Sequence, residues 1–330
     1  MSDYPKSVTI HEVGPREGFQ FEKQFTPTAR KLDLVHALAQ TGVKDIEVVS
    51  FVHAKWVPQM ADAEEVSQGL IPFPGVQYSC LWLNDKGLER AAATGKYYLD
   101  GALKLGASPA FIKKNTNKSI EETIATFPDW IEVYKRFGVP VEQATTNAAW
   151  GCNFQGDIPH QWVLDRITAI EKAIVDNGGT LKRILLSDTM GWASPKQIKS
   201  LLGKVRDRWP DAQIRVHLHD TRGTGLANAV AAVEMGVTEF DSAVGGLGGC
   251  PFAGHKAAAG NICTEDLVFM LHEMGIETGI DLDRMCEAGR LAEEVVGHEL
   301  PGKLMHVSSL TRYRQAAALR ERAPAESAAA

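Results

Sequence analysis

Eight short apolar, β-branched runs recur along the 330 residues, separated by helical stretches, and this alternation limits the fold more than any other feature of the chain. The runs are SVTIHEV, DIEVVSF, VQYSCLWL, DGALKL, VPVEQATT, RILLSD, IRVHLHD and EFDSAV. Between them, TARKLDLVHALAQTG, SIEETIATFPDWIEVYKRFG, PHQWVLDRITAIEKAIVDNGG, PKQIKSLLGKVRDRW and GLANAVAAVEMG carry apolar residues at helical spacing. Several end in glycine, which suits a left-handed C-cap, and Thr28, Ser119 and Ser194 stand at N-cap positions. Eight strands alternating with helices over about 240 residues is the count and length of an α/β fold of the (β/α)8 TIM-barrel type. A doubly wound open sheet is the competing architecture. This reading puts the barrel over about residues 6–280, extra C-terminal helices over about 281–315, and a fraying low-complexity tail, AAALRERAPAESAAA, over 316–330. No linker composition divides the chain, so residues 1–330 read as one catalytic domain.

The formal net charge is -6, and no block of five or six like charges occurs. An electrostatic footprint for nucleic acid or an anionic membrane is therefore missing. No apolar run reaches 18 residues, and MSDYPKSVTIHEV has neither the charged nor the apolar region of a signal peptide, so the expectation is a cytoplasmic protein. Cys80, Cys152, Cys250, Cys263 and Cys286 form no CxxC pair, which fits reduced thiols. Their odd number leaves room for one working thiol.

The chemistry starts from IRVHLHD. Ile214, Val216 and Leu218 alternate with Arg215, His217 and His219, so period-two geometry sends both imidazoles to one face of a strand. Two imidazoles about 7 Å apart along that face can converge on one divalent ion if other ligands lie nearby. In a barrel the chemistry sits at the C-terminal ends of the strands. That rim collects Glu12, Arg16 and Glu17 after the first strand, Glu47 and Ser50 on the second, and Asp188 and Thr189 after the sixth. His217, His219 and Asp220 end the seventh, and Cys250 and Asn261 follow the eighth. Each alone has a plain structural reading, as an ion pair or a cap. Their concentration at one mouth favours a site.

The glycine-rich GGLGGCPFAGHKAAAGN is not a phosphate-binding loop of the Walker type, since a GxxxxGK reading from Gly249 needs lysine where His255 stands. It also lacks GxGxxG spacing. A lid that delivers Cys250 to a closed site is the better physical reading.

EVGPREGFQFEK, IEVVSFVHAKWVPQM, SDTMG, VHLHDTRGTGLAN and GGLGGCPFA followed by GNICTEDLVFML resemble segments of the 3-hydroxy-3-methylglutaryl-CoA lyases, a family of metal-dependent TIM barrels, from about Val8 to about Leu300. The resemblance implies Mg²⁺ or Mn²⁺ (with Zn²⁺ or Co²⁺ compatible with the same donors) and cleavage of an acyl-CoA to acetyl-CoA and a keto acid by a homodimer or higher homo-oligomer. It implies metal ligation by Glu17, His217, His219 and Asn261. Catalytic roles fall on Arg16, Glu47, Asp188 and the loop residue Cys250. Substrate contacts fall on Ser50 and Asn84, with Lys55 flanking, and Arg222 stands where an aromatic residue is usual and so faces an extra polar group of the substrate. Glu17 replaces the usual aspartate, and the spacing from Cys250 to Asn261 is longer than usual. These departures bear on the acyl group, with citramalyl-CoA or a Claisen-type synthase as alternatives.

Overall fold

The computed structural model describes residues 4–249, 260–307 and 309–322. Every apolar run of the sequence forms a strand: β1 (Thr9–Glu12), β2 (Asp45–Ser50), β3 (Gln77–Leu81), β4 (Gly101–Lys104), β5 (Val141–Thr146), β6 (Arg183–Ser187), β7 (Gln213–His217) and β8 (Glu239–Ser242). They pair in parallel in the order β3-β2-β1-β8-β7-β6-β5-β4, so the first and last strands are neighbours and the sheet curls into a barrel. The seam between β3 and β4 has no strand pairing; there the Tyr98 N–H donates to the Tyr78 carbonyl at 2.8 Å.

Alternation along each strand makes the layers. Ile10, Ile46, Ile184, Val216 and Phe240, each at most 2 % exposed, face the helices and form the main core with residues such as Leu34, Leu38, Ile198 and Leu201. The opposite parity, including His11, Glu47, Lys104, Arg215 and Asp241, faces the barrel axis. A polar axis inside an apolar sleeve leaves the mouth of the barrel as the place where charge can meet a ligand.

Local chemistry corrects several expected boundaries. The stretch expected as one helix over 119–138 is two, Ile120–Ile124 and Phe127–Arg136, because Pro128 starts a new helix and cannot continue the old one. Ser119 caps the first of them with a full capping box. Thr28 is the first helical residue rather than the cap, Pro27 holding the cap position, and its hydroxyl donates instead to Asp62 at 2.7 Å. The last helix, Leu310–Arg322, runs into the stretch read as a fraying tail. Its Ala, Leu, Arg and Glu content favours helix, and Arg314 fastens it to Glu273 at 2.8 Å. It follows helices Leu282–Val296 and Leu304–Val307, which pack against the barrel's end.

Candidate active site and metal centre

The expected pairing of the two imidazoles is present with one change. β7 ends at His217, and His219 sits just past it in a single antiparallel bridge to Asn261. That bridge brings the segment after the glycine-rich loop against the strand end. The two Nε2 atoms face each other at 3.1 Å. Arg16 and Glu17, expected after the first strand, lie on a helix, Gly14–Phe21. This helix starts directly off the strand because Glu12, fully buried, accepts the Gly14 N–H at 2.8 Å; a Cβ on Gly14 would stand 2.5 Å from that carboxylate. Glu12 also accepts from the Val244 N–H at 2.9 Å and the Thr264 hydroxyl at 2.6 Å, and burial pushes its pKa up to about 7. It is a clamp between the segments that follow the first and last strands, and it does not line the cavity.

Glu17, His217 and His219 place donor atoms within 4.8 Å of one another. Burial works against the charge on Glu17, but Arg16 above all, with the two histidines and the Asn261 amide, holds its pKa down to about 2. The Asn261 amide nitrogen donates to Glu17 at 2.7 Å, while its Oδ1 is buried with no hydrogen-bond partner. Gly248, at φ +93°, lets the chain pass close by, since a Cβ there would meet that same amide nitrogen at 3.0 Å. The Nδ1–H of His217 donates to Asp241 at 3.1 Å, leaving the Nε2 lone pair toward the centre. Burial pushes the pKa of His219 down to about 3, with His217 adding to the effect, so it is a neutral donor. Two imidazole nitrogens, one carboxylate and an unpartnered amide oxygen fit a divalent cation.

Charge points the same way. The surrounding cavity, about 570 Å³, carries Arg16, Lys104, Arg183 and Arg215 against Glu17, Asp45, Glu47, Asp100, Glu239 and Asp241. These carboxylates outnumber the cations by two, a surplus that raises the pKa values of His11 and His217 and that a divalent cation can balance.

Arg16 is fixed by acids on both sides: Nη2 lies 2.7 Å from Glu17 and 2.5 Å from Glu47, and Nε donates to Glu47 at 2.6 Å. Burial raises the pKa of Glu47, with Arg16 opposing and Glu17 adding to it. Thr189 lines the same cavity. Asp188 does not: it accepts the Trp192 N–H at 2.8 Å and the Ala193 N–H at 3.1 Å, and burial lifts its pKa to about 6. Asp220 likewise pins the Gly225 N–H at 2.7 Å.

The expected substrate contacts stand outside the cavity wall. The Arg222 guanidinium donates to the Met190 and Gly191 carbonyls at 2.7 and 2.9 Å and lies 5.6 Å from the Trp192 ring, so it braces the turn after β6. Ser50 is fully buried, Asn84 caps helix Asp85–Thr94 through the Gly87 N–H at 2.8 Å, and Lys55 lies over Trp56 on the surface. Cys250, with His255 and Lys256, lies outside the described residues. The sequence reading missed His11, Asp45, Lys104, Arg215, Asp241 and Gln143, which line the axis. The signal was there: each is a polar residue at the inward parity of an apolar strand.

Comparison with known proteins decides the kinship. The HMGL-like family model matches residues 7–292. The chain belongs to the HMGL-like family. A rat protein named 3-hydroxy-3-methylglutaryl-CoA lyase, cytoplasmic, is 41% identical over 312 residues, covering 94% of this chain and 88% of its own. A hydroxymethylglutaryl-CoA lyase of Bacillus subtilis (strain 168) is 38% identical, covering 92% and 98%. Among solved structures, a Bacillus subtilis HMG-CoA lyase superposes with a TM-score of 0.84 at 37% identity over 93% of this chain and 99% of its own. An HMG-CoA lyase from Acinetobacter baumannii, in complex with coenzyme A and 3-methylmalate, gives 0.82 at 36% identity over 94% and 98%. These full-length matches to the HMGL-like members agree with the order of the eight parallel strands. No helix of the described residues is long and apolar enough to cross a membrane.

The role of Asp241 can be tested without substrate. Asp241→Asn is expected to weaken Mn²⁺ binding by about 10- to 100-fold, because it loosens the orientation of His217. Calorimetric titration reads this directly, and an affinity equal to the parent's would show that Asp241 does not orient the ligand.

Proposed function

We propose that this HMGL-like protein is a divalent-metal-dependent carbon–carbon lyase that cleaves 3-hydroxy-3-methylglutaryl-CoA to acetyl-CoA and acetoacetate. The observation that carries the reading is the meeting of Glu17, His217 and His219 with the Arg16–Glu47 pair at the wall of one cavity. The relatives' names support the same reaction. Glu17, His217, His219 and Asn261 would hold the metal, with Mg²⁺ or Mn²⁺ suited to the oxygen donors and Zn²⁺ or Co²⁺ compatible with the imidazoles. When bound, the cation supplies Lewis-acid polarisation of substrate oxygens.

The reaction removes the proton of the C3 hydroxyl, breaks the C2–C3 bond and leaves the electron pair on the thioester enolate, whose carbon then takes a proton. Glu47 is the group we assign to accept the hydroxyl proton. It lines the cavity, and its raised pKa brings it nearer to neutral proton transfer than an ordinary carboxylate. Asp188, committed to its own turn, is assigned the indirect task of shaping the end of β6. Arg16 offers a fixed planar cation to the enolate oxygen, a task for which its hydrogen bonds to Glu17 and Glu47 hold it ready. Cys250, by its place in the glycine-rich segment, is assigned the return of a proton to the enolate carbon. The whole chain acts here as one catalytic domain, as a homodimer or higher homo-oligomer. The rat relative named as cytoplasmic supports that location.

Metal-loaded protein incubated with 3-hydroxy-3-methylglutaryl-CoA is expected to give acetyl-CoA and acetoacetate, identified by mass. Cleavage of citramalyl-CoA or another 3-hydroxyacyl-CoA in its place would move the assignment to that acyl group. Absence of product from the whole panel would remove the lyase reading.

A further inference from the structure

The cations of the cavity wall are not alike. Arg16 is paired with Glu17 and Glu47, Arg183 with Asp100, and Arg215 with Asp241 at 3.6 Å. Lys104, at the end of β4, has no hydrogen bond and no ion-pair partner among the described residues, although it stands within electrostatic range of Glu47 and Arg16. The short contacts of Glu47 go through Oε2 to Arg16 and none reaches Lys104. Lys104 lines the cavity with much of its side chain open to it. A cation that faces the cavity with no protein partner is available to pair with an anion that enters beside it.

Its neighbours on the wall suit an oxyanion. Lys104 is in register with Thr145 on β5, and Asn147, two residues beyond, lines the same cavity with an amide that makes no hydrogen bond among the described residues. The Thr145 hydroxyl accepts from Gln143 at 3.2 Å, which leaves its own proton free to donate. An ammonium, an amide N–H and a hydroxyl on adjoining strands make a carboxylate-binding surface inside the barrel.

We propose that Lys104, supported by Asn147 and Thr145, binds the free terminal carboxylate of the acyl group and so selects dicarboxylic acyl-CoA substrates over neutral ones. The proposal rests on the lyase reading of the same cavity and names the substrate class that reading requires. A thioester that enters from the mouth and presents its C3 hydroxyl near Glu17, His217 and His219 has only its acyl end left to reach deeper.

The test compares 3-hydroxy-3-methylglutaryl-CoA with the same thioester bearing a neutral terminal carboxamide, on the parent, Lys104→Met, Lys104→Gln and Lys104→Arg. Binding to metal-free protein is measured by calorimetry, so that turnover is not needed. The parent is expected to prefer the acid by about 10- to 100-fold, the scale of one charge-assisted hydrogen bond in an enclosed site. Lys104→Met and Lys104→Gln should remove the preference by weakening the acid alone, and Lys104→Arg should keep most of it. In turnover the loss should fall on KM more than on kcat. A parent without preference, or a preference that survives in Lys104→Met and Lys104→Gln, overturns the proposal. Turnover by the parent is scored separately: Lys104-dependent binding without cleavage would refute the lyase reading and leave the carboxylate site standing.

Discussion

His219→Ala is expected to lower turnover by about 10³-fold or more, because the several kcal/mol of charge stabilisation that a bound cation supplies depends on its ligands. His219 is the cleanest ligand to remove. Its neighbour His217 is tied to Asp241, so truncating His217 would take the closest partner from a buried carboxylate, whereas His219 is neutral and its Nε2 faces the centre. The measurement is a Mn²⁺ titration of the variant beside its steady-state rate. Stoichiometric Mn²⁺ binding with the parent's affinity would show that the cation sits elsewhere, whatever the rate.

Arg16→Met should lose about 10²- to 10³-fold in turnover while the metal stays bound, by analogy with deleting one donor to a developing oxyanion. Two features of the site make the metal part of this expectation specific. The Glu17 carboxylate, held down to about 2 by Arg16 and by three other partners, loses one support but keeps both histidines and the Asn261 amide, so it remains ionised near neutrality. Glu47 loses the cation it hydrogen-bonds and its pKa, already raised by burial, should climb further. The double variant Arg16→Met/Glu47→Gln should therefore be better folded than Arg16→Met alone, since it no longer buries an unpaired carboxylate. The kinetic signature is a fall in kcat with KM nearly unchanged. A variant that turns over at the parent's rate would take Arg16 out of the chemistry.

The strands were legible because each is a short β-branched run, and the barrel followed from their number and spacing. The paired imidazoles were legible because alternation alone puts residues 217 and 219 on one face, even though the strand stops at the first of them. What escaped was what depends on distant partners. Nothing local in GPREGFQF announces a helix starting directly off a strand, because its start is held by Glu12 and by residues more than two hundred positions away. Arg222 reads as a substrate contact because it stands where an aromatic residue is usual; in the structure its guanidinium donates to carbonyls some thirty residues earlier in the chain. The polar axis was readable in principle. His11, Arg215 and Asp241 each interrupt an apolar strand at the inward parity, and a charged residue there implies a solvated or liganded interior.

The Glu12 clamp has a consequence for how the protein acquires its metal. The helix that carries Glu17 and the segment that carries Asn261 are both anchored through that one carboxylate, at Gly14 on one side and Thr264 on the other. Ligands from opposite ends of the chain are thus tied together by hydrogen bonds that use none of the donor atoms, so less of the binding free energy is consumed in ordering the polypeptide.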